Sequence, residues 1–512
     1  MKNQEGASKR IAKNTLLLYV RMLILMIISL YTSRIVLKSL GVEDFGIYNV
    51  VGGVVGMFAI ISGSLSASIT RFLNYEMGKG QKTSLNRIFC SSVTIQVGLS
   101  LIVIFVAETI GLWFLNNKMT IPINRIIAAN WVYQLSILTF VINLISVPYN
   151  AVIIAHEKMS VFAYIGIYEG LSKLFIAFAI SISPIDNLIS YSFLMCCVAI
   201  SVRFIYGRYC SYHFEECKYK FIFDVKQLRE MFTFAGWNFI GAIAGVLRDQ
   251  GGNIILNLFC GPVVNAARGI SSQVNNAVTG FVTNFTMAMN PQITQSYSSG
   301  NRGYMQQLMY QGSKLSYYVL LLISLPIIVN TPYLLSLWLG HYPDYSVSFV
   351  RLTLVLSMWE SIAAPMSTGL LATGNIKWYQ ICVGGLNLLN IPVSYLLLSN
   401  GATPEIVIIV AIIISQMALF MRLIFIKKLL SFDIVTFIIQ IYLKLIIVTC
   451  LSLFATIGIY QILNVNLFSF IVVSGFCILF TSFAILFIGC SSVERTIVYS
   501  VITKTIKKIK KS

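Results

Sequence analysis

Four arginines stand where a lipid-facing helix should carry no charge. Arg21 and Arg34 fall in the first apolar run, 14–37, Arg248 in the seventh, 231–258, and Arg268 early in the eighth, 263–290. An ionised side chain near the middle of a bilayer costs about 2.5–3.5 kcal/mol on insertion scales, so such a group faces a cavity or a partner. A guanidinium stays charged, and its planar fork can hold two phosphate oxygens at once. Four of them would make a positive lining suited to an anionic cargo. Two local features compete with that reading. Asp249 follows Arg248 directly and can neutralise it, and Arg21 lies about two turns from a membrane edge, within snorkelling reach.

The eighth run, GPVVNAARGISSQVNNAVTGFVTNFTMAMNP from Gly261, is too polar to face lipid all round. Asn265, Arg268, Ser272, Asn276, Thr279, Thr283 and Asn290 recur mostly every three or four residues and so share one helical face. That face must meet water or protein, and a cavity lining is expected. The second run carries Gly52, Gly53, Gly56, Gly63, Ser64, Ser66 and Ser68 instead. Its Gly52-x-x-x-Gly56 step suits close helix packing.

Other polar groups have simpler readings. Glu169 and Lys173 are four apart and form an intrahelical pair. Arg351 and Glu360 are nine apart, on opposing faces, and cannot pair with each other, while Glu108 is interfacial. His156 reads as a solvated loop residue. The run GKGQKTS from Gly78 lacks the spacing of a phosphate-binding loop, which argues against ATP hydrolysis. Ten cysteines are scattered without metal-type or disulfide spacing and read as free thiols. No cofactor and no metal are expected.

The elements that must position these groups are transmembrane helices. Of the 512 residues, 57% are apolar and only 11% charged, and the mean hydropathy is +0.81, far from soluble averages. A span needs ~20 largely apolar residues. Fourteen such stretches are expected: 14–37, 45–70, 88–115, 126–150, 161–183, 187–207, 231–258, 263–290, 312–338, 346–372, 378–398, 404–426, 434–460 and 467–489. The basic N-terminus (Lys2, Lys9, Arg10, Lys13) precedes a retained first span, since no cleavage site follows it. With that terminus inside, 27 Lys and Arg lie on the inner side, three outside (Lys38, Lys118, Arg125) and seven within spans. This asymmetry places both termini in the cytoplasm. The net charge of +19 thus serves topology, and no nucleic-acid partner is expected.

Sliding the sequence on itself by 220 residues lays Gly41 on Gly261, the run from Leu40 on that from Cys260, and the turn at Gly78–Gly80 on Ser298–Gly300. At a slightly drifted offset Leu112-Trp113 meets Leu337-Trp338, Pro148 meets Pro365 and Ala155 meets Ala372. Arg248 maps onto Ile28, two turns beyond Arg21 on nearly the same face. Six spans per copy is an even number, so the copies are related by an axis along the membrane normal, with the substrate path between them. The expected organisation is an N-terminal six-helix lobe (1–207), a cytoplasmic linker (208–230), a C-terminal six-helix lobe (231–428), an additional helix pair (429–490) and a basic cytoplasmic tail (491–512).

The opening from Lys13 to Phe58, its echo at Gly261–Ile270 and the helix end VPYNAVIIAHEK resemble the polysaccharide and O-antigen flippase family of the multidrug/oligosaccharidyl-lipid/polysaccharide exporter superfamily. The resemblance spans essentially the whole chain. It implies movement of an undecaprenyl-pyrophosphate-linked oligosaccharide, a repeat unit of O-antigen, capsule or exopolysaccharide, across the bacterial inner membrane by alternating access of two lobes. It also implies cationic cavity residues, which agrees with the reading of Arg21, Arg248 and Arg268 from their positions; Arg34, Asn265, Ser272, Asn276 and Thr279 are expected on the same path from the residue pattern alone. Expected partners are the lipid-linked oligosaccharide, membrane lipids and the glycan polymerase and ligase machinery, and the chain is expected to act as a monomer. A cation-coupled drug or toxin exporter of the same superfamily is the nearest alternative. It would favour an acidic cavity, whereas spans 1, 2, 7 and 8 offer four Arg against Asp249. A polytopic glycosyltransferase or polysaccharide polymerase would need a sizeable outer loop to hold acid and base groups, and every expected outer loop is short.

Overall fold

The computed structural model describes residues 2–56, 59–80, 82–117, 121–180, 186–220, 224–462, 466–491 and 494–496. Among them the secondary structure is helical throughout, with no strand. In chain order the helices are α1 (Lys2–Gly56), α2 (Ala59–Lys79), α3 (Lys82–Val106), α4 (Leu112–Asn117), α5 (Ile126–Ala155), α6 (Met159–Ala179), α7 (Asn187–His213) and α8 (Val225–Ser298). There follow α9 (Arg302–Val329), α10 (Thr331–Leu339), α11 (Ser346–Thr373), α12 (Lys377–Leu388), α13 (Asn390–Ser399), α14 (Ile406–Leu430), α15 (Ile434–Phe437), α16 (Leu443–Ile462) and α17 (Leu467–Ala484). Side-chain caps start several of them. Asp186 accepts from the amides of Leu188 and Ile189 at 3.0 and 3.2 Å, Asp224 from Lys226 and Gln227 at 3.1 Å each, and Asn466 from Ser469 at 2.7 Å.

Among the described residues twelve helices are long and apolar enough to cross a membrane. The second and eighth of the fourteen expected spans are not among the twelve. Their residues are helical where described, but glycine and serine in one, and asparagine, serine and threonine in the other, lower their hydropathy. Lipid would cover the large side chains left exposed, such as Phe105, Phe175, Phe204, Leu258, Phe454 and Leu479.

One residue connects the first two runs. Gly41 has φ 78° and ψ 170°, and Gly261, 220 residues on, has φ 78° and ψ −178°. This region is open essentially to glycine alone, so each bend is written into the chain by one residue type. The recurrence continues at Gly80 and Gly300, with φ 73° and 79°, and at Glu157 and Gly374, with φ 55° and 77°. The last pair has the register that aligns Pro148 with Pro365, both inside helices.

The contacts divide the chain into two units: residues 1–243, 287–301 and 374–377 in the first, and 244–286, 302–373 and 378–512 in the second. In the first, α1 packs on α6 and α5 on α7, around one apolar cluster that includes Leu18, Phe89, Ile153 and Met159 and another that includes Val36, Val132, Tyr133 and Ile180. The start of α8 joins this unit through polar bonds. Ser64 donates to the Ala235 carbonyl at 2.9 Å, and Asn238 Nδ2 approaches Ser64 Oγ at 3.4 Å. In the second, α11 packs on α9 and α14, and Ile255, Leu256, Ala267, Phe349 and Ile408 share a core.

Within 208–230, residues up to His213 belong to α7 and those from Val225 to α8. The short connection is fastened by Asn86, whose Nδ2 donates to the carbonyls of Glu216 and Lys218 at 2.8 and 2.9 Å. His156 is not a solvated loop residue: Nε2 lies 2.5 Å from Glu216 Oε1, and its ring stacks on Phe214 at 4.2 Å. The isolated reading of AHEK missed it because both partners lie some sixty residues away in the chain. Most of the 491–512 tail lies outside the described residues.

Candidate functional site

In the first unit a cavity of 440 Å³ opens among α1, α6 and the start of α7. Its polar lining comprises Arg21, Ser29, Thr32, Glu169 and Lys173, with Tyr48 and Tyr191 also on its wall. Arg21 reaches it because α6 offers no side chain at the crossing. A Cβ built on Gly166 would stand 2.3 Å from Arg21 Nε, and one on Gly170 would stand 2.5 Å from Leu25 Cδ2. The guanidinium lies over the Phe162 ring, 4.4 Å from its centroid. Arg21 Nε and Thr32 Oγ1 are buried with no hydrogen-bond partner among the described residues. A buried donor without an acceptor is unfavourable, which makes this cavity ready to accept an oxygen-rich anion. Lys173 Nζ and Glu169 Oε1 are 2.6 Å apart, as an intrahelical pair should be. With Arg21 they leave the cavity one net positive charge. The step Gly166-x-x-x-Gly170 was the signal in the sequence that could have placed α6 beside Arg21. Arg34, further along α1, is exposed.

In the second unit Arg248 is held by two acids. Its Nε donates to Asp249 Oδ1 at 3.0 Å and its Nη1 to Glu360 Oε1 at 2.5 Å. The Arg248 side chain is 13% exposed and that of Glu360 38%. Arg248 is therefore charge-compensated, and sequence reasoning missed Glu360 as its partner. Arg351, on the other face of α11, donates instead to the Ile328 carbonyl at 2.9 Å. Arg268 lies on the far side of the Gly261 bend. Its Nε approaches Asn253 Oδ1 at 3.4 Å, and its Nη1 is buried with no partner among the described residues.

The polar residues of the eighth run share one broad face and divide by what they bond. Ser271 and Asn275 bond α11, through Thr353 at 3.4 Å and Ser357 at 2.6 Å. Ser272, Thr279 and Thr283 return their hydroxyls to carbonyls four residues back. Asn265 is half-buried, and Asn276 is exposed. The periodicity located a polar helix, while the residues that grip α11 are neighbours of those it selected.

Long apolar helices, charged groups held inside them and a polar cavity within a helical unit define a multi-pass membrane protein. Its fold is shared with solved transporters. A superfamily transporter from Pyrococcus furiosus, described by the reversed polarity of its binding pocket, aligns with TM-score 0.70 at 10% identity, over 83% of this chain and 96% of that one. The Vibrio cholerae MATE transporter VcmN, in its bent form, aligns with TM-score 0.68 at 16% identity, over 84% of this chain and 98% of that one. The chain belongs to the polysaccharide biosynthesis protein family, whose model matches residues 11–297. The MatE model matches 247–396. The uncharacterized membrane protein EpsK of Bacillus subtilis is 21% identical over 334 residues, which span 62% of this chain and 63% of EpsK. The protein is thus a multi-pass membrane protein of the polysaccharide biosynthesis protein family with the fold of the solved MATE transporters.

Proposed function

We propose that this transporter moves an undecaprenyl-pyrophosphate-linked oligosaccharide from the inner to the outer leaflet of the bacterial inner membrane by alternating access, with both termini cytoplasmic. The observation that carries the reading is Arg21, whose Nε is buried without an acceptor beside a 440 Å³ cavity of net positive charge. A pyrophosphate supplies the missing acceptors and a compensating charge. Arg268 offers a second guanidinium of the same kind, and the self-bonded hydroxyls of Ser272 and Thr279 can turn toward a sugar. Arg248 contributes differently: compensated by Asp249 and Glu360, it holds α8 against α11 and adds no attraction of its own for an anion. The second and eighth helices complete fourteen spans, their polar faces turned from lipid.

The acids around Arg248 favour one rival, a cation-coupled drug exporter. Reconstituted protein given lipid-linked oligosaccharide in one arm and a cationic dye in the other separates the two. Translocation of the oligosaccharide, lost in Arg21→Ala at normal membrane levels, is expected. Dye transport alone would overturn the proposal.

A further inference from the structure

A second cavity, of 390 Å³, lies in the first unit, toward the C-terminal end of α2. It is lined by Arg71 and Phe72 of α2, by Arg229, Thr233, Phe234 and Trp237 on the first turns of α8, and by Gly374. Three aromatic rings surround the Arg71 guanidinium carbon, with centroids at 4.7 Å (Phe72), 4.8 Å (Tyr75) and 5.4 Å (Phe234). Such a box fixes the plane of the guanidinium, and with it the directions in which its N–H groups can meet a ligand's oxygens. Gly374 lets the guanidinium come close: a Cβ there would stand 2.6 Å from Arg71 Nη2. Lys377 Nζ lies 5.4 Å from the Trp237 ring centroid. Arg71, Arg229 and Lys377 thus stand against Glu230 of the lining and Glu76 close to Arg71, so the cavity keeps a positive charge, with aromatic rings set among its cations.

We infer that this cavity is a loading site for a phosphorylated sugar. The guanidinium groups of Arg71 and Arg229 take the phosphate oxygens, and the Trp237 indole takes the apolar face of the sugar ring. Its size falls within the range of small-molecule sites. An indole presents a flat apolar surface that a pyranose can cover, and its N–H can reach a hydroxyl. A simple phosphate site would not need the tryptophan, and a simple aromatic pocket would not need two arginines. The inference rests on the proposed flippase activity only for the identity of the cargo.

Calorimetric titration of the full chain in phosphatidylcholine nanodiscs tests it, in an Arg21→Ala background so that the first cavity does not contribute, with inorganic pyrophosphate and a farnesyl-pyrophosphoryl hexosamine as probes. Arg71→Met is expected to weaken both probes at least tenfold, and Arg229→Gln, on an exposed side chain, at least threefold. Trp237→Ala should weaken the sugar probe at least fivefold and pyrophosphate less than twofold, with Trp237→Phe restoring most of the difference. Affinities unchanged in Arg229→Gln and Trp237→Ala would overturn the site even if Arg71→Met proved unstable. Displacement of the sugar probe by phosphatidylglycerol added to the nanodiscs would assign the cavity to a lipid headgroup and overturn the sugar assignment. Binding that follows this pattern while wild-type protein moves no lipid-linked oligosaccharide would remove the flippase reading and leave the site. Translocation without the pattern would do the reverse.

Discussion

Replacing Gly166 by alanine should change sign with the residue opposite it. In mid-helix, glycine is less favourable than alanine by roughly 0.5–1 kcal/mol, so the substitution alone should stabilise α6. At this crossing the new Cβ would stand 2.3 Å from Arg21 Nε, 2.8 Å from Nη2 and 2.9 Å from Cζ. These atoms lie mid-chain and at the head of a side chain seated on Phe162, so the guanidinium must leave its place. Overpacking of this kind costs about 1–3 kcal/mol, and the net effect in the native background is a loss of roughly 0.5–2 kcal/mol. In an Arg21→Ala background the obstacle is gone, and Gly166→Ala should stabilise by up to about 1 kcal/mol. Chemical unfolding of the four proteins in one detergent measures the coupling, expected near 1–3 kcal/mol. Oligosaccharide translocation should fall in Gly166→Ala as it is expected to in Arg21→Ala. An effect of the same sign and size in both backgrounds would refute the placement of Arg21 against α6 and the cavity built on it.

Glu360→Ala should destabilise by ~2 kcal/mol, below the roughly 3–5 kcal/mol of a fully buried pair because Glu360 is partly exposed and Asp249 still pairs with Arg248, and joint replacement of Arg248 and Glu360 by methionine should recover most of that loss in the same unfolding assay. Gly41→Ala and Gly261→Ala should each cost about 1–3 kcal/mol, since alanine strains at those dihedral angles, whereas Gly269→Ala, mid-helix and in open space with no positive φ, should stabilise by roughly 0.5–1 kcal/mol. Burial disfavours the charge on Asp186, but hydrogen bonds from Arg125 and from the Ile189 and Leu188 amides outweigh it and hold the carboxyl below its usual range. Arg125 also bonds Asp44. A depressed carboxylate contributes stability above its unfolded pKa of about 3.9 and loses it as pH falls through the folded value. Detergent-solubilised protein should therefore lose stability below about pH 4, and Asp186→Asn should flatten that part of the profile.

Hydropathy and charge made the long apolar helices legible, and an offset of 220 made the paired bends legible, because a reversal available only to glycine leaves a single-residue mark. Partners across helices were another matter. That Arg248 meets Glu360, that Arg21 meets Gly166 and that Arg71 sits among three rings all depend on how each helix is turned about its axis. Apolar sequence says little about that rotation, because either face of such a helix satisfies lipid. Polar periodicity did better on the eighth helix but could not tell Asn275, which grips α11, from Asn276, which does not. The small residues were the underused signal, since a glycine facing a long cation is the imprint of their contact.

The bond between Asn275 and Ser357 also has a meaning in time. The two residues are 82 positions apart, and a chain grows at roughly 5–20 residues per second, so Asn275 is made about 4–16 seconds before the serine that will hold it exists. Gly261 joins its polar helix to the preceding apolar helix with no loop between them, so on the proposed fourteen-span topology the polar helix enters the membrane as the second arm of a hairpin. During that interval the first arm is its shelter from lipid, and a mutation that stiffens or breaks the bend would show first as a failure of insertion, before any failure of transport.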